Sequence, residues 1–381
     1  MKLLFASDSF KGTLSSADTI RILTKAAEEI FGDVEIMGVP VADGGEGTTD
    51  AVVLARDGET VEVRVHDPLM KEITAYYGCF GKHQAILEMA SASGLPLLKD
   101  QDRNPLNTTT YGTGELIRQA LDDGYRKIAI AIGGSATNDG GMGAMRALGV
   151  KFLDKDGNEL EGRGSDLIKV AHIDASGIHP AVAETEFRIM CDVNNPLCGE
   201  TGATYTFGKQ KGGTPEVLDQ LEKGMCNYRD IIQTEFGINC DLIHGSGAAG
   251  GLGAALLVFL KGQMNSGTKT VLKLIRFDDM LEGVDLVVTG EGQTDWQSAC
   301  GKVMQGVGEH GRAAGVPVIG ICGSLGRGYE QMYEHGIESL ITTVDGPMNL
   351  DEALGNAEDL YYKAAIRAFR MVKTGMQINS K

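Results

Sequence analysis

Three short stretches carry residues able to handle a transferable phosphate. They are Asp8-Ser9-Phe10-Lys11-Gly12-Thr13, Asp43-Gly44-Gly45-Glu46-Gly47-Thr48, and Gly290-Glu291-Gly292 with Asp295 close behind. Glycine lets backbone N–H groups come close to an anion, a carboxylate can hold a hard cation or accept a proton, and lysine neutralises phosphate oxygens. A fourth stretch, Gly133-Gly134-Ser135-Ala136-Thr137-Asn138-Asp139-Gly140-Gly141, sets small residues ahead of a helix-like 142–148, whose N-terminus would favour an anion. A fifth, Cys191-Asp192-Val193-Asn194-Asn195-Pro196, comes upstream of Lys209-Gln210-Lys211-Gly212-Gly213. A carboxylate followed by a lysine-bearing loop suits phosphoryl transfer, one part orienting the nucleophile or a cation and the other neutralising charge. None of this is a Walker A loop, because Gly301-Lys302 is followed by Val303 and not by Ser or Thr.

The elements that must position these residues are legible as apolar runs ending in turn signals. Runs 2–6, 34–41, 285–289, 317–322 and 339–344 predict buried parallel strands. Between them, Ser16 is predicted to cap a helix with Ile20, Leu23, Ala27 and Ile30 on its apolar face. Residues 302–314 and, more briefly, 328–335 also read as helix. Asn349, with Glu352 three residues on, predicts a capped C-terminal helix carrying the stripe Leu354, Tyr361, Ala365 and Ala368. Such alternation predicts a flavodoxin-like, doubly wound, five-stranded parallel sheet, whose ligand loops lie beyond the carboxyl ends of the strands. Gly323-Ser324 falls at the same edge. Residues 42–284 separate the second run from the third, far more than a crossover needs, so a second α/β domain is expected as an insertion. The expected division is 1–57 and 281–381 for the interrupted domain and 58–280 for the insert. In the insert, 61–65 and 73–79 alternate like antiparallel strands, 85–89, 127–132 and 186–190 read as buried strands, and 113–121 and 215–236 as helices, giving a mixed sheet.

Composition narrows the partners. The chain has 381 residues and a net charge of -17, which argues against a nucleic-acid backbone or an anionic membrane surface. The apolar stretch 248–260 is too short to span a bilayer, and the first residues lack a signal-peptide core. Seven cysteines without a C-x-x-C fit a reducing cytoplasm; Cys198 and Cys300 are read as small buried or tolerated thiols. The histidines form no H-x-x-x-H and sit beside no pair of cysteine ligands, so no zinc site is expected. Gly245-Ser246-Gly247-Ala248-Ala249-Gly250 matches a dinucleotide fingerprint in its letters, which leaves a nucleotide-dependent oxidoreductase as the alternative reading. It lacks the acidic residue expected about twenty positions on, so close helix packing is the preferred account. Trp296 could stack on a base or shield a site.

In combination these stretches resemble the type-1 glycerate kinase family. The resemblance rests on Asp8 to Thr13, Pro40 to Thr48, Gly133 to Gly141, Cys191 to Pro196, Phe207-Gly208-x-Gln210-Lys211-Gly212, Gly247 to Gly253, and Gly290-Glu291-Gly292 through Gly301-Lys302, in order along nearly the whole chain. It implies ATP-dependent, Mg²⁺-assisted phosphorylation of D-glycerate, with 2-phosphoglycerate favoured over 3-phosphoglycerate, and a flavodoxin-like domain interrupted by a second α/β domain. Two positions depart from the family's usual pattern. Gln293 stands where many members carry Arg, and Asn194 stands where Asp is common. An arginine able to pair with an anion is thus missing at 293, and a potential metal ligand is neutral at 194.

With that resemblance, the residues take expected roles in a cleft between two domains. Lys11 and Lys211 neutralise phosphate or the substrate carboxylate. Asp8, Ser9, Gly133, Gly134, Ser135, Asn138, Gly290 and Gly292 bind substrate or phosphate. Asp43, Glu46 and Glu291 supply carboxylates for Mg²⁺, and Asp192 or Asp295 takes the hydroxyl proton. The partners are then ATP and D-glycerate, with no nucleic acid and no membrane, and a homo-oligomer is compatible.

Overall fold

The apolar runs at residues 3–5, 286–288 and 318–322 have no exposed face, so they pair with one another in the middle of a parallel sheet. The computed structural model describes residues 1–10, 12–296, 298–299 and 301–379. They fall into two units: Met1–Asp43, Asp50–Ala55 and Thr268–Lys381 make the first, Gly44–Thr49 and Arg56–Gly267 the second.

In the first unit the strand order is Ile337–Thr342, Val318–Cys322, Leu286–Thr289, Lys2–Phe5, Glu35–Gly38. Every pairing is parallel. In chain order this is 2-1-3-4-5, the flavodoxin-like arrangement, with the switch point between Lys2–Phe5 and Leu286–Thr289. Strand side chains alternate. Leu3, Phe5, Val288 and Ile321 pack on Ile22 and Leu23 of helix Ser16–Phe31 and on Tyr361 and Phe369 of helix Ala357–Asn379. Helix Val303–Ala314 packs on strands Leu286–Thr289 and Val318–Cys322 and buries Val303, Met304 and Val307.

Two helix boundaries differ from the sequence expectation. Ser15, not Ser16, caps the first helix: its hydroxyl accepts from the Asp18 N–H at 3.1 Å and the Asp18 carboxylate accepts from the Ser15 N–H at 3.1 Å. This reciprocal box outcompetes Ser16, whose hydroxyl turns to the Val41 carbonyl. The C-terminal helix begins at Asn349 with its capping box but breaks at Asn356, so Leu350–Gly355 and Ala357–Asn379 are separate helices.

The second unit holds a six-stranded mixed sheet in the order Gln263–Asn265, Glu186–Met190, Lys127–Ala131, Gln84–Glu88, Glu72–Phe80, Glu59–His66. The first four strands are parallel and the last two antiparallel. Strand Gln263–Asn265 escaped the sequence reading because it is only three residues long and polar at both ends. Helix Pro215–Phe236 follows its predicted span, with Leu221, Met225 and Tyr228 buried.

Candidate active site

In the first unit, a cavity of about 570 Å³ is built at the carboxyl ends of the strands. Its polar lining includes Asp8, Ser9, Asp43, Glu291, Lys302 and Ser324. Its apolar lining comes from Phe10, Leu14, Met348, Leu350, Leu354 and Tyr361, with Gly292, Gln293, Ala353 and Ala357 between. The loops that carry the polar residues are tied to each other through the backbone. Asp8 N–H donates to the Gly290 carbonyl at 3.0 Å, and Ser324 N–H to the Gly292 carbonyl at 3.1 Å. The Asp8 carboxylate accepts from the Ser9 N–H at 2.7 Å, which fixes the turn out of the first strand. Gly290 is buried against the next strand, where a Cβ would run into the Ile321 carbonyl oxygen, so only glycine lets the loop leave there.

Glu291 is the most enclosed carboxylate of this group, at 7% exposure. Burial pushes its pKa up, while hydrogen bonds from Ser298 and Thr294 and the charge of Lys302 pull the other way. The Thr294 hydroxyl sits 3.1 Å from Oε1. A cation beside this oxygen relieves the cost of keeping it ionised. The carboxylates of Asp43 and Glu291 on one cavity wall are hard oxygen donors, the set Mg²⁺ takes. Lys302 occupies the N-cap position of helix Val303–Ala314 in extended backbone (φ -78°, ψ 173°) and lines the same cavity.

In the second unit the Gly44–Thr49 segment lies against Met190 and Gly133, and the Thr49 N–H donates to Glu88 Oε1 at 2.7 Å. Loop 133–141 leaves the end of strand Lys127–Ala131. Gly134 is exposed and Gly133 half-buried, whereas Asn138 and Asp139 are fully buried. The acceptor at the N-terminus of helix Met142–Ala147 is the chain's own carboxyl group, Asp139. Asp139 accepts from the N–H groups of Thr110 (2.7 Å), Gly141 (3.0 Å) and Gly143 (3.2 Å) and from the Thr110 hydroxyl (2.8 Å). Lys211, at 1% exposure, donates to the Thr137 carbonyl at 2.7 Å. Burial pushes Asp139 up and Lys211 down to about 7, so both are drawn toward their neutral forms.

The sequence-derived residues therefore separate into two groups. Asp8, Ser9, Asp43, Glu291 and Gly292 line one cavity, whereas Gly290 is not in its lining and is buried against Ile321. Gly133, Gly134, Ser135, Asn138, Lys211, Asp192 and Glu46 belong to the second unit. There Lys211 supports the loop from inside, Glu46 is exposed, and the exposed Asp192 accepts from the Gly267 N–H at 3.0 Å. Asp295, in the first unit, lies in the turn after Thr294, its N–H donating to the Ser298 hydroxyl at 3.2 Å. Lys11 and Cys300 lie outside the described residues. Trp296 is 54% exposed.

The fingerprint reading of residues 245–250 finds no support. A dinucleotide turn follows a strand, but a 3₁₀ turn, Cys240–Leu242, precedes this one. Its glycines serve packing instead. Gly250 has φ +67°, and a Cβ there would run into the Thr137 carbonyl oxygen. Sequence reasoning missed the wall from Met348 to Tyr361, because a helical apolar stripe looks the same whether it covers a core or lines a cavity. Lys302, expected only as the first residue of the helix over 302–314, is both the N-cap of that helix and part of the lining.

Comparison with known proteins agrees with this architecture. The glycerate kinase family model matches residues 3–373. The chain is 41% identical to the glycerate kinase of Halalkalibacterium halodurans, over 95% of this chain and 96% of that one. It is 40% identical to the glycerate 2-kinase of Escherichia coli K12, over 99% of each. A crystal structure described as a "putative glycerate kinase 2" from Salmonella typhimurium LT2 superposes with a TM-score of 0.87 at 39% identity, covering 99% of both chains. With a family match along almost its entire length and the interrupted flavodoxin-like sheet in place, this chain belongs to the glycerate kinase family.

Proposed function

We propose that the chain transfers the γ-phosphoryl group of ATP to D-glycerate, giving 2-phosphoglycerate in preference to 3-phosphoglycerate. The observation that carries this reading is the two-sided cavity of the first unit, apolar along Leu350, Leu354 and Tyr361 and polar at Asp8, Ser9 and Lys302. A purine suits the first side and a polyphosphate the second. Asp43 and Glu291 would hold Mg²⁺ there; the ion, when bound, neutralises charge on phosphate oxygens. Lys302 supplies a fixed positive charge on the cavity wall, and the N–H groups of Gly290 and Gly292 add fixed dipoles. Gly133, Gly134 and Ser135 are proposed to meet an anionic group of the substrate, with Asn138 and Lys211 holding their loop in shape. Lys11 is proposed to neutralise phosphate, and Asp192 or Asp295 to accept the hydroxyl proton. A reducing cytoplasm is the proposed location, supported by six described cysteines that are all free. Among the described residues no helix is long and apolar enough to cross a membrane.

The test is ADP release coupled to a reporter enzyme, scanned over D-glycerate and other short hydroxy acids. D-glycerate should drive ADP release well above the acid-free rate. Equal rates with every acid, or with none added, contradict the proposal. Lys11→Met should raise the KM for ATP or lower kcat sharply; an unchanged profile removes Lys11 from the site.

A further inference from the structure

The second unit brings together three side chains that the phosphoryl-transfer reading does not use. Glu222 and Cys226 lie one turn apart on helix Pro215–Phe236, at the i, i+4 spacing that puts both on one face. Cys198 comes from the loop after Leu197, far away in sequence. One ligand atom from each of the three lies within 4.8 Å of the others. Cys198 is 6% exposed, Glu222 8% exposed and Cys226 half-buried, so the cluster has one side toward solvent.

Each residue is held in place by the backbone around it. The Cys198 N–H donates to Asp241 Oδ1 at 2.9 Å and the Gly199 N–H to Glu222 Oε1 at 2.6 Å. The Cys226 thiol donates to the same Oε1 at 3.7 Å. Glu222 Oε2 is buried and has no hydrogen-bond partner. A buried carboxylate oxygen left without a donor is costly, and a cation removes that cost. The nearby positive charge, Arg229, is taken up by Asp230 and Asp241 at 2.8 Å each.

We propose that Cys198, Cys226 and Glu222 form a binding site for a thiophilic divalent cation of the zinc class. Two sulfurs and one carboxylate oxygen are a zinc donor set. Zn–S and Zn–O bonds of about 2.3 and about 2.1 Å in a tetrahedron place the ligand atoms within the spacing seen here. The fourth position faces the open side and is left to water. Binding converts two thiols to thiolates and releases two protons per cation, so charge and atoms balance. The sequence reading expected no zinc site because it looked for histidine or paired cysteines in short spacing, whereas here the fold supplies the pairing.

The test uses the full chain, reduced and stripped of metal with a chelator. Zn²⁺ is titrated against a chromophoric chelator, and Co²⁺ is added separately to read thiolate coordination from its near-ultraviolet charge-transfer absorption. One saturating equivalent, proton release on binding and a thiolate–Co²⁺ band are expected. Cys226→Ser and Cys198→Ser should each remove the band and weaken Zn²⁺ binding by roughly a hundredfold, and Glu222→Gln should keep the band but weaken binding at least about tenfold. Cys79→Ser should change nothing. If Cys198→Ser fails to fold, Cys226→Ser and Glu222→Gln carry the test alone. Absence of one saturable equivalent, binding unchanged in the cysteine variants, or recovery of a Cys198–Cys226 disulfide in place of metal overturns the proposal.

Discussion

The Lys211 ammonium reaches the Thr137 carbonyl at 2.7 Å from a position that is 1% exposed. The lysine thus acts as an internal strut of loop 133–141. Its pKa, lowered by burial from 10.5 to about 7, gives stability a defined pH dependence. Between about 7 and 10.5 the unfolded chain holds the Lys211 proton and the folded chain does not, so folding gains stability as pH rises through that window. Below about 7 both states are protonated and the contribution is flat. Urea midpoints of the parent and of Lys211→Met, compared across this range, should show the parent gaining on the variant toward high pH, by a few kcal/mol at most, of the order set by ~1.4 kcal/mol per pKa unit. Parallel profiles would remove Lys211 from the interior.

The same loop leans on Gly250, which has φ +67° and no room for a Cβ beside the Thr137 oxygen. Gly250→Ala should destabilise the chain by about 1–3 kcal/mol, combining backbone strain and a displaced carbonyl. Chemical denaturation reads the loss directly, and an unshifted midpoint would show that the loop does not depend on this contact.

The loops at the strand ends were legible because polar residues after an apolar run have few other reasons to cluster. Asp8, Asp43 and Glu291 could be assigned to one sheet edge from the strand pattern alone, since topology 2-1-3-4-5 makes their strands neighbours. What the pattern could not convey was depth. Gly133 and Lys211 look alike as loop residues, yet one is half-buried and the other lies inside, because burial depends on long-range contacts such as that of Lys211 with the Thr137 carbonyl, which no local spacing encodes. Leu354 and Tyr361 likewise read as one apolar stripe, and only the fold turns part of that stripe toward a cavity.

The nucleotide assignment is tested by filling the apolar side of that cavity. Ala353→Trp adds a ring where the purine is proposed to lie. The KM for ATP should rise at least about tenfold, a loss of ~1.4 kcal/mol, while the KM for D-glycerate stays within about threefold. A rise confined to glycerate would place the acid, not the nucleotide, in this cavity.

Asp192 and Asp295 stand in different units, and one of them is proposed to take the hydroxyl proton. Replacing the base by Asn should lower kcat by about 10²–10⁴ with little change in either KM, whereas the other variant stays within about tenfold of the parent. Near-parental turnover in both folded variants would exclude both as the base.

The central claim, phosphoryl transfer from ATP to glycerate, is read most directly by ³¹P NMR of the full chain incubated with ATP, Mg²⁺ and D-glycerate. The γ-phosphate resonance should decay as a phosphomonoester resonance of 2-phosphoglycerate grows in equal amount, and neither change should occur without D-glycerate. Loss of the γ-phosphate to inorganic phosphate alone, or spectra unaffected by D-glycerate, would contradict the account.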